Sequence, residues 1–123
     1  MEAMEPNPAF DPESYPDAIA AFDALGEDGR VLVWGGDWCP DTRQELPDFA
    51  ALLEATQLRA DQIEIYEVDQ DKQGPKVEEY DVTHIPTIVI ERGGEEIARF
   101  VEGETMPAPV YLGDRLGEAG LAD

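Results

Sequence analysis

The chain of 123 residues carries 29 acidic and 8 basic side chains, a formal net charge of −21, with 42% hydrophobic residues, one cysteine and one histidine. That length makes room for one domain with a modest core. The charge opposes nucleic-acid and anionic-membrane partners, the apolar share is too high for a disordered acidic tail, and a lone cysteine with a lone histidine excludes an intrachain disulfide and the usual zinc site.

Residues 1–14 read as an extended, acidic, proline-rich arm, because Pro6, Pro8 and Pro12 oppose a regular helix. Glu2, Glu5, Asp11 and Glu13 stand where a secretory leader would be basic, and no apolar run reaches the roughly 18 residues of a membrane span. A cytoplasmic location is therefore expected. Residues 15–123 read as one domain. Pro16 suits a first helical position, and Ala18, Ile19, Phe22 and Leu25 recur at helical spacing until Gly26 and Gly29. Val31-Leu32-Val33-Trp34 is a short apolar run, the pattern of a strand buried on both faces. Gly35 to Cys39 connects it to a second helix, from about Pro40 to Thr56, with Leu46, Phe49, Ala50 and Leu53 on one face and Pro47 as an internal kink.

Ile63, Ile65, Tyr66 and Val68 predict the next strand, and Pro75 to Tyr80 a short helix. Thr87 to Ile90 and Ile97 to Val101, joined at Gly93-Gly94, predict a hairpin. Leu112, Leu116 and Ala119 mark a closing helix after Pro107 or Pro109. Strands alternating with helices imply parallel pairing, and the hairpin adds an antiparallel edge. The expected architecture is a mixed four-stranded sheet with helices on both faces. Trp34 reads as core, and Tyr66 and Phe100 as sheet packing.

Cys39 stands just before a helix start, where orphan backbone N–H groups and the helix dipole favour a thiolate. Thr42, three residues on, is placed to offer its hydroxyl to the sulfur. The strand-to-helix turn is expected to be exposed, which argues against a buried, inert thiol. Asp37 and Asp41 flank Cys39 and oppose the dipole, with Arg43 the nearby positive charge in sequence, so only modest activation is expected. Asp41 also has a plain structural reading, since carboxylates favour the first helical turn. His84 lies two residues before Pro86; it reads as an exposed loop histidine rather than a base for Cys39.

Trp38-Cys39-Pro40-Asp41-Thr42 after a buried strand, Pro47 in the next helix and Ile85-Pro86-Thr87 opening a later strand together resemble the thioredoxin family. The resemblance spans roughly residues 16–120, and is nearest to members in which Cys-X-Asp-Ser or Cys-X-Asp-Thr replaces the dithiol. It implies a three-layer α/β/α sandwich with a C-terminal β-hairpin. It also implies that Cys39 is the attacking thiol and that Pro86 is a cis-proline facing it. Trp38, Pro40, Asp41, Ile85 and Pro86 then line the binding surface, where backbone beside Pro86 meets an extended peptide.

The departures are informative. Thr42 stands where a resolving cysteine would be, Val33 where dithiol members have a buried aspartate, and Ile65 where they have a lysine. The implied function is monothiol exchange: Cys39 and Thr42 act on protein disulfides or oxidised thiols, and an external low-molecular-weight or protein thiol completes the turn. The alternative is a redox-inactive peptide-binding module. Iron–sulfur binding with glutathione, as in monothiol glutaredoxins, fits least, because Asp37 and Asp41 oppose an anionic ligand and the Cys-Gly-Phe-Ser motif is missing. No cofactor, metal, nucleic-acid or membrane partner is expected. The acids are spread from Glu2 to Asp123, which fits a surface adapted to high salt; a basic partner is the other reading.

Overall fold

A computed structural model of the chain describes residues 1–71, 73–102 and 106–118. Pro16 opens α1 (Pro16–Asp23), which buries Ala18, Ala21 and Phe22. There follow β1 (Gly29–Gly35), α2 (Pro40–Glu54), β2 (Ile63–Glu67), β3 (Thr87–Arg92), β4 (Glu95–Val101) and α3 (Ala108–Glu118). The four strands form one sheet in the order β2-β1-β3-β4. Gly93 and Gly94 hold φ of +60° and +82°, the left-handed conformations that a two-residue hairpin turn between β3 and β4 requires. The mixed four-stranded sheet and its C-terminal hairpin are as expected. The pairing is less parallel than the alternation implies, because β1 pairs parallel to β2 but antiparallel to β3.

Alternation along the strands sorts their side chains onto two faces. Val31, Val33, Ile88, Ile90, Ala98 and Phe100 pack against residues of α1, α2 and α3 in the main core. Leu32, Trp34 and Val89 point the other way and join Cys39, Val68, Val82 and Ile85 in a second cluster, with Tyr66, Val77 and Tyr80 at its margin.

The layer over this second face differs from the predicted helix at 75–80. Residues 75–81 run as consecutive turns, with Lys76 at φ +60° and Asp81 at φ +54°. Six residues lie well short of the length at which helix propagation outweighs nucleation. Tertiary partners decide instead. The Trp34 indole donates to the Pro75 carbonyl at 2.9 Å, and its ring packs 5.2 Å from Tyr66 and 5.1 Å from Tyr80. The Tyr80 hydroxyl donates to Glu91 at 2.8 Å; that bond and burial push Tyr80 up to about 12.

The prolines do keep the arm from forming an α-helix, but it is not simply extended. It makes two 3₁₀ turns, Glu2–Met4 and Pro12–Ser14, and folds back along α2. Ala3 is buried, and Met4 and Phe10 pack against the main core. The Asn7 N–H donates to the Pro47 carbonyl at 3.0 Å, and Asn7 Nδ2 to Asp48 Oδ1 at 2.8 Å. The expected end of the last helix at Ala119 lies outside the described residues.

Candidate functional site

β1 ends at Gly35, and the chain reverses in a turn closed by the Cys39 N–H donating to the Gly36 carbonyl at 2.9 Å. Cys39 is the N-cap of α2, in extended conformation, and its carbonyl accepts the Arg43 N–H at 3.1 Å. Pro40 occupies the first helical position, where the missing N–H has no intrahelical partner to lose. Both glycines before the turn are needed for space. A Cβ on Gly35 would sit 2.9 Å from Thr42 Cγ2, and one on Gly36 would drive into the Trp38 indole, 2.8 Å from Cε2.

The turn brings Trp38, Cys39, Pro40, Asp41 and Thr42 together, though not with the expected exposures. Cys39 is only 8% exposed, set in the cluster with Leu32, Trp34, Val68, Val82, Ile85 and Val89. This corrects the expectation of an open thiol: Val68, Val82 and Ile85 close over the side chain, and Trp38 takes the outer position at 41% exposure. The Trp38 indole donates to the Val68 carbonyl at 2.9 Å, which lays the ring across Gly36. Thr42 also differs. It is fully buried, and its hydroxyl accepts the Gly36 N–H at 3.3 Å. Among the described residues no hydrogen bond reaches the Cys39 sulfur, whether from Thr42 or from the first turn of α2.

The flanking charges divide. Asp41 is exposed in the first turn of α2. Asp37 turns away to the arm and accepts the N–H groups of Glu2 at 3.0 Å and Ala3 at 2.9 Å. Burial works against its ionisation. The two N–H bonds, the amino-terminal charge and Arg43 outweigh that burial and hold the Asp37 carboxyl below its ordinary value. Glu45 was not singled out by the sequence reading. Its carboxylate accepts the Ala108 N–H at the start of α3, at 3.2 Å. Burial raises Glu45 above its ordinary value against that bond, with Asp48 and Asp41 adding to the rise.

Across the site, the Ile85–Pro86 bond is cis, and both residues are buried. Ile85 shares the cluster of Cys39. The Pro86 carbonyl accepts the Glu102 N–H at 3.0 Å, and the Thr87 hydroxyl donates to the His84 carbonyl at 2.6 Å. Among the described residues the Ile85 N–H and C=O have no hydrogen-bond partner. His84 is exposed, with Nδ1 3.0 Å from the Thr83 hydroxyl, consistent with a loop histidine. Val33 and Ile65 stand opposite each other in the β1–β2 register, the first fully buried and the second 42% exposed. Both are apolar, so no carboxylate–ammonium pair stands at these two positions. Among the described residues no three His, Cys, Asp or Glu side chains are grouped to hold a metal ion, and no helix is long and apolar enough to cross a membrane.

Residues 11–108 match the thioredoxin family. A thioredoxin of Chlamydia pneumoniae is 31% identical over 81 residues, covering 65% of this chain and 76% of that protein. Two solved structures share the fold. A reduced thioredoxin pre-protein of Schistosoma mansoni superposes with a TM-score of 0.54 at 21% identity, over 74% of this chain and 78% of that one. A mutant thioredoxin of Halobacterium salinarum gives 0.51 at 17% identity, over 98% and 94%. The matched span includes the Cys39 turn, α2 with its internal Pro47 and the cis Ile85–Pro86 bond, and this chain belongs to the thioredoxin family.

Proposed function

We propose that the protein carries out thiol–disulfide exchange with one thiol. The Cys39 thiolate attacks one sulfur of a substrate disulfide. A bond forms between Cys39 Sγ and that sulfur as the old S–S bond breaks, and the second sulfur leaves with the electron pair and takes up a proton. An external thiol, small or on a protein, then attacks the mixed disulfide and returns Cys39 to its reduced form. In this reading the Ile85 N–H and C=O, which have no partner among the described residues, pair with an extended substrate segment, and the exposed Trp38 ring is a neighbouring contact face.

The observation that carries this reading is the single thiol of the chain at the N-cap of α2, in one cluster with Ile85, while Thr42 sits where a second thiol would be needed. Reduced protein incubated with an excess of a disulfide-linked peptide dimer should gain the mass of one peptide thiol less two hydrogens, and Cys39→Ser should gain none. Insulin reduction with thioredoxin reductase should be absent in the parent chain and appear in Thr42→Cys. Efficient reduction by the parent chain would overturn the monothiol mechanism.

A second reading, a peptide-binding module without redox turnover, draws on the enclosure of Cys39 and on a sulfur that receives no hydrogen bond among the described residues. A Cys39→Ser chain that binds peptides as tightly as the parent, with no mixed disulfide in the parent, favours it.

A further inference from the structure

The turn that carries Cys39 is tied at three points. Two ties come from the domain itself: the Gly36 N–H to Thr42 Oγ1 at 3.3 Å, and the Trp38 indole to the Val68 carbonyl at 2.9 Å. The third comes from the arm. Asp37, at the first corner of the turn and two residues from Cys39, accepts the N–H groups of Glu2 at 3.0 Å and Ala3 at 2.9 Å.

The arm is held along α2 by Ala3 at 5% exposure, by Met1, Met4 and Phe10 on the core, by the amino terminus 3.4 Å from Glu67, by the Phe10 ring stacked on Tyr15, and by the two Asn7 bonds to Pro47 and Asp48. Between arm and helix a cavity of about 360 Å³ remains, lined by Glu2, Ala3, Glu5, Asp37, Arg43 and Pro47. If the arm leaves, the Asp37 carboxylate loses both N–H partners and the turn loses its tie to the arm.

We propose that residues 2–10 form a strap on the thiol turn and that Asp37 is the positioning residue through which it acts. With the strap docked, Asp37 holds the turn in place and Cys39 stays against Val68, Val82 and Ile85. With the strap released, the turn opens and the thiol becomes accessible to a bulky protein disulfide. This rests on the reading that Cys39 is the reacting group, and it names how access to that group is set.

The test is the rate of Cys39 alkylation by iodoacetamide in the folded, full-length chain. Ala3→Pro removes one donor to Asp37 without changing charge, and restricts Glu2 away from the 3₁₀ conformation. It should speed alkylation about tenfold, the scale of losing a hydrogen bond to a charged group. Asp37→Ala should do at least as much, and adding Ala3→Pro to it should bring no further gain. Asp37→Asn removes the same charge as Asp37→Ala but keeps an acceptor oxygen, so its gain should be smaller. An unchanged rate in Ala3→Pro beside a faster Asp37→Ala overturns the strap, because the carboxylate then acts on the thiol directly. So do gains that multiply in the double variant. Should Asp37→Ala lose its near-ultraviolet circular dichroism, the comparison of Ala3→Pro with Asp37→Asn decides by itself. Alkylation needs no disulfide substrate, so a failure here is distinct from a failure to form the mixed disulfide.

Discussion

At Asp37, burial and hydrogen bonding pull in opposite directions, and two backbone N–H groups win with the help of nearby positive charge. The folded chain therefore gives up the Asp37 proton at a lower pH than the unfolded chain, whose ordinary value is 3.8. The stability this supplies is complete above that value and is lost as pH falls through the lower folded one. Urea unfolding followed between about pH 4 and pH 2 should show a decline that is shallower in Asp37→Asn. An equal slope in both proteins would place the acid sensitivity elsewhere. Asp37 was legible in the sequence as a charge beside Cys39. Its partners were not, because sequence separations of 34 and 35 from its donors leave no local signal.

Among the elements, the helices and strands with long apolar periodicity were readable, and the short covering segment was not. Four consecutive apolar residues define β1, and Leu46, Phe49 and Leu53 define the inner face of α2, because burial demands those spacings. The stretch 75–80 has only a proline at its start to suggest a helix, and Trp34, Tyr66 and Glu91 from other elements set its path. The same holds where α2 meets α3: Glu45 caps the Ala108 N–H from 63 residues away. Burial, Asp48 and Asp41 raise its carboxyl above the ordinary 4.5. Its contribution is thus fullest at low pH and falls as pH rises through the raised folded value, opposite in sign to Asp37. Glu45→Gln keeps an oxygen for the Ala108 N–H and removes the repulsion. It should raise the melting temperature at neutral pH, by roughly the few tenths of a kcal/mol of a like-charge pair on a helix. Glu45→Ala should lower it, and that contrast in thermal melts checks the cap.

At the scale of the whole molecule, 29 acids face 8 Lys and Arg, so pairing cannot neutralise the surface. The side-chain ion pairs among the described residues, Arg59 with Glu27 and Asp61, Arg99 with Glu96 and Arg115 with Glu118, lie at or near the surface. Pairs of that kind contribute little, whereas the self-repulsion of the remaining acids is long-ranged until salt screens it. The melting temperature should therefore rise with added salt, steeply up to about 1 M, where the screening length falls to roughly 3 Å. A fall over that range, measured by calorimetry, would show that another term dominates. Composition and local pattern alone determined the charge, the single thiol, the α/β order and the position of Cys39 at a helix start, since each depends on neighbours in the chain. Only the tertiary structure decided that Cys39 is enclosed, that the Thr42 hydroxyl serves Gly36 rather than the sulfur, and that the arm grips the turn through Asp37. Burial and hydrogen-bond choice depend on which distant segments meet, and no spacing along the chain encodes that.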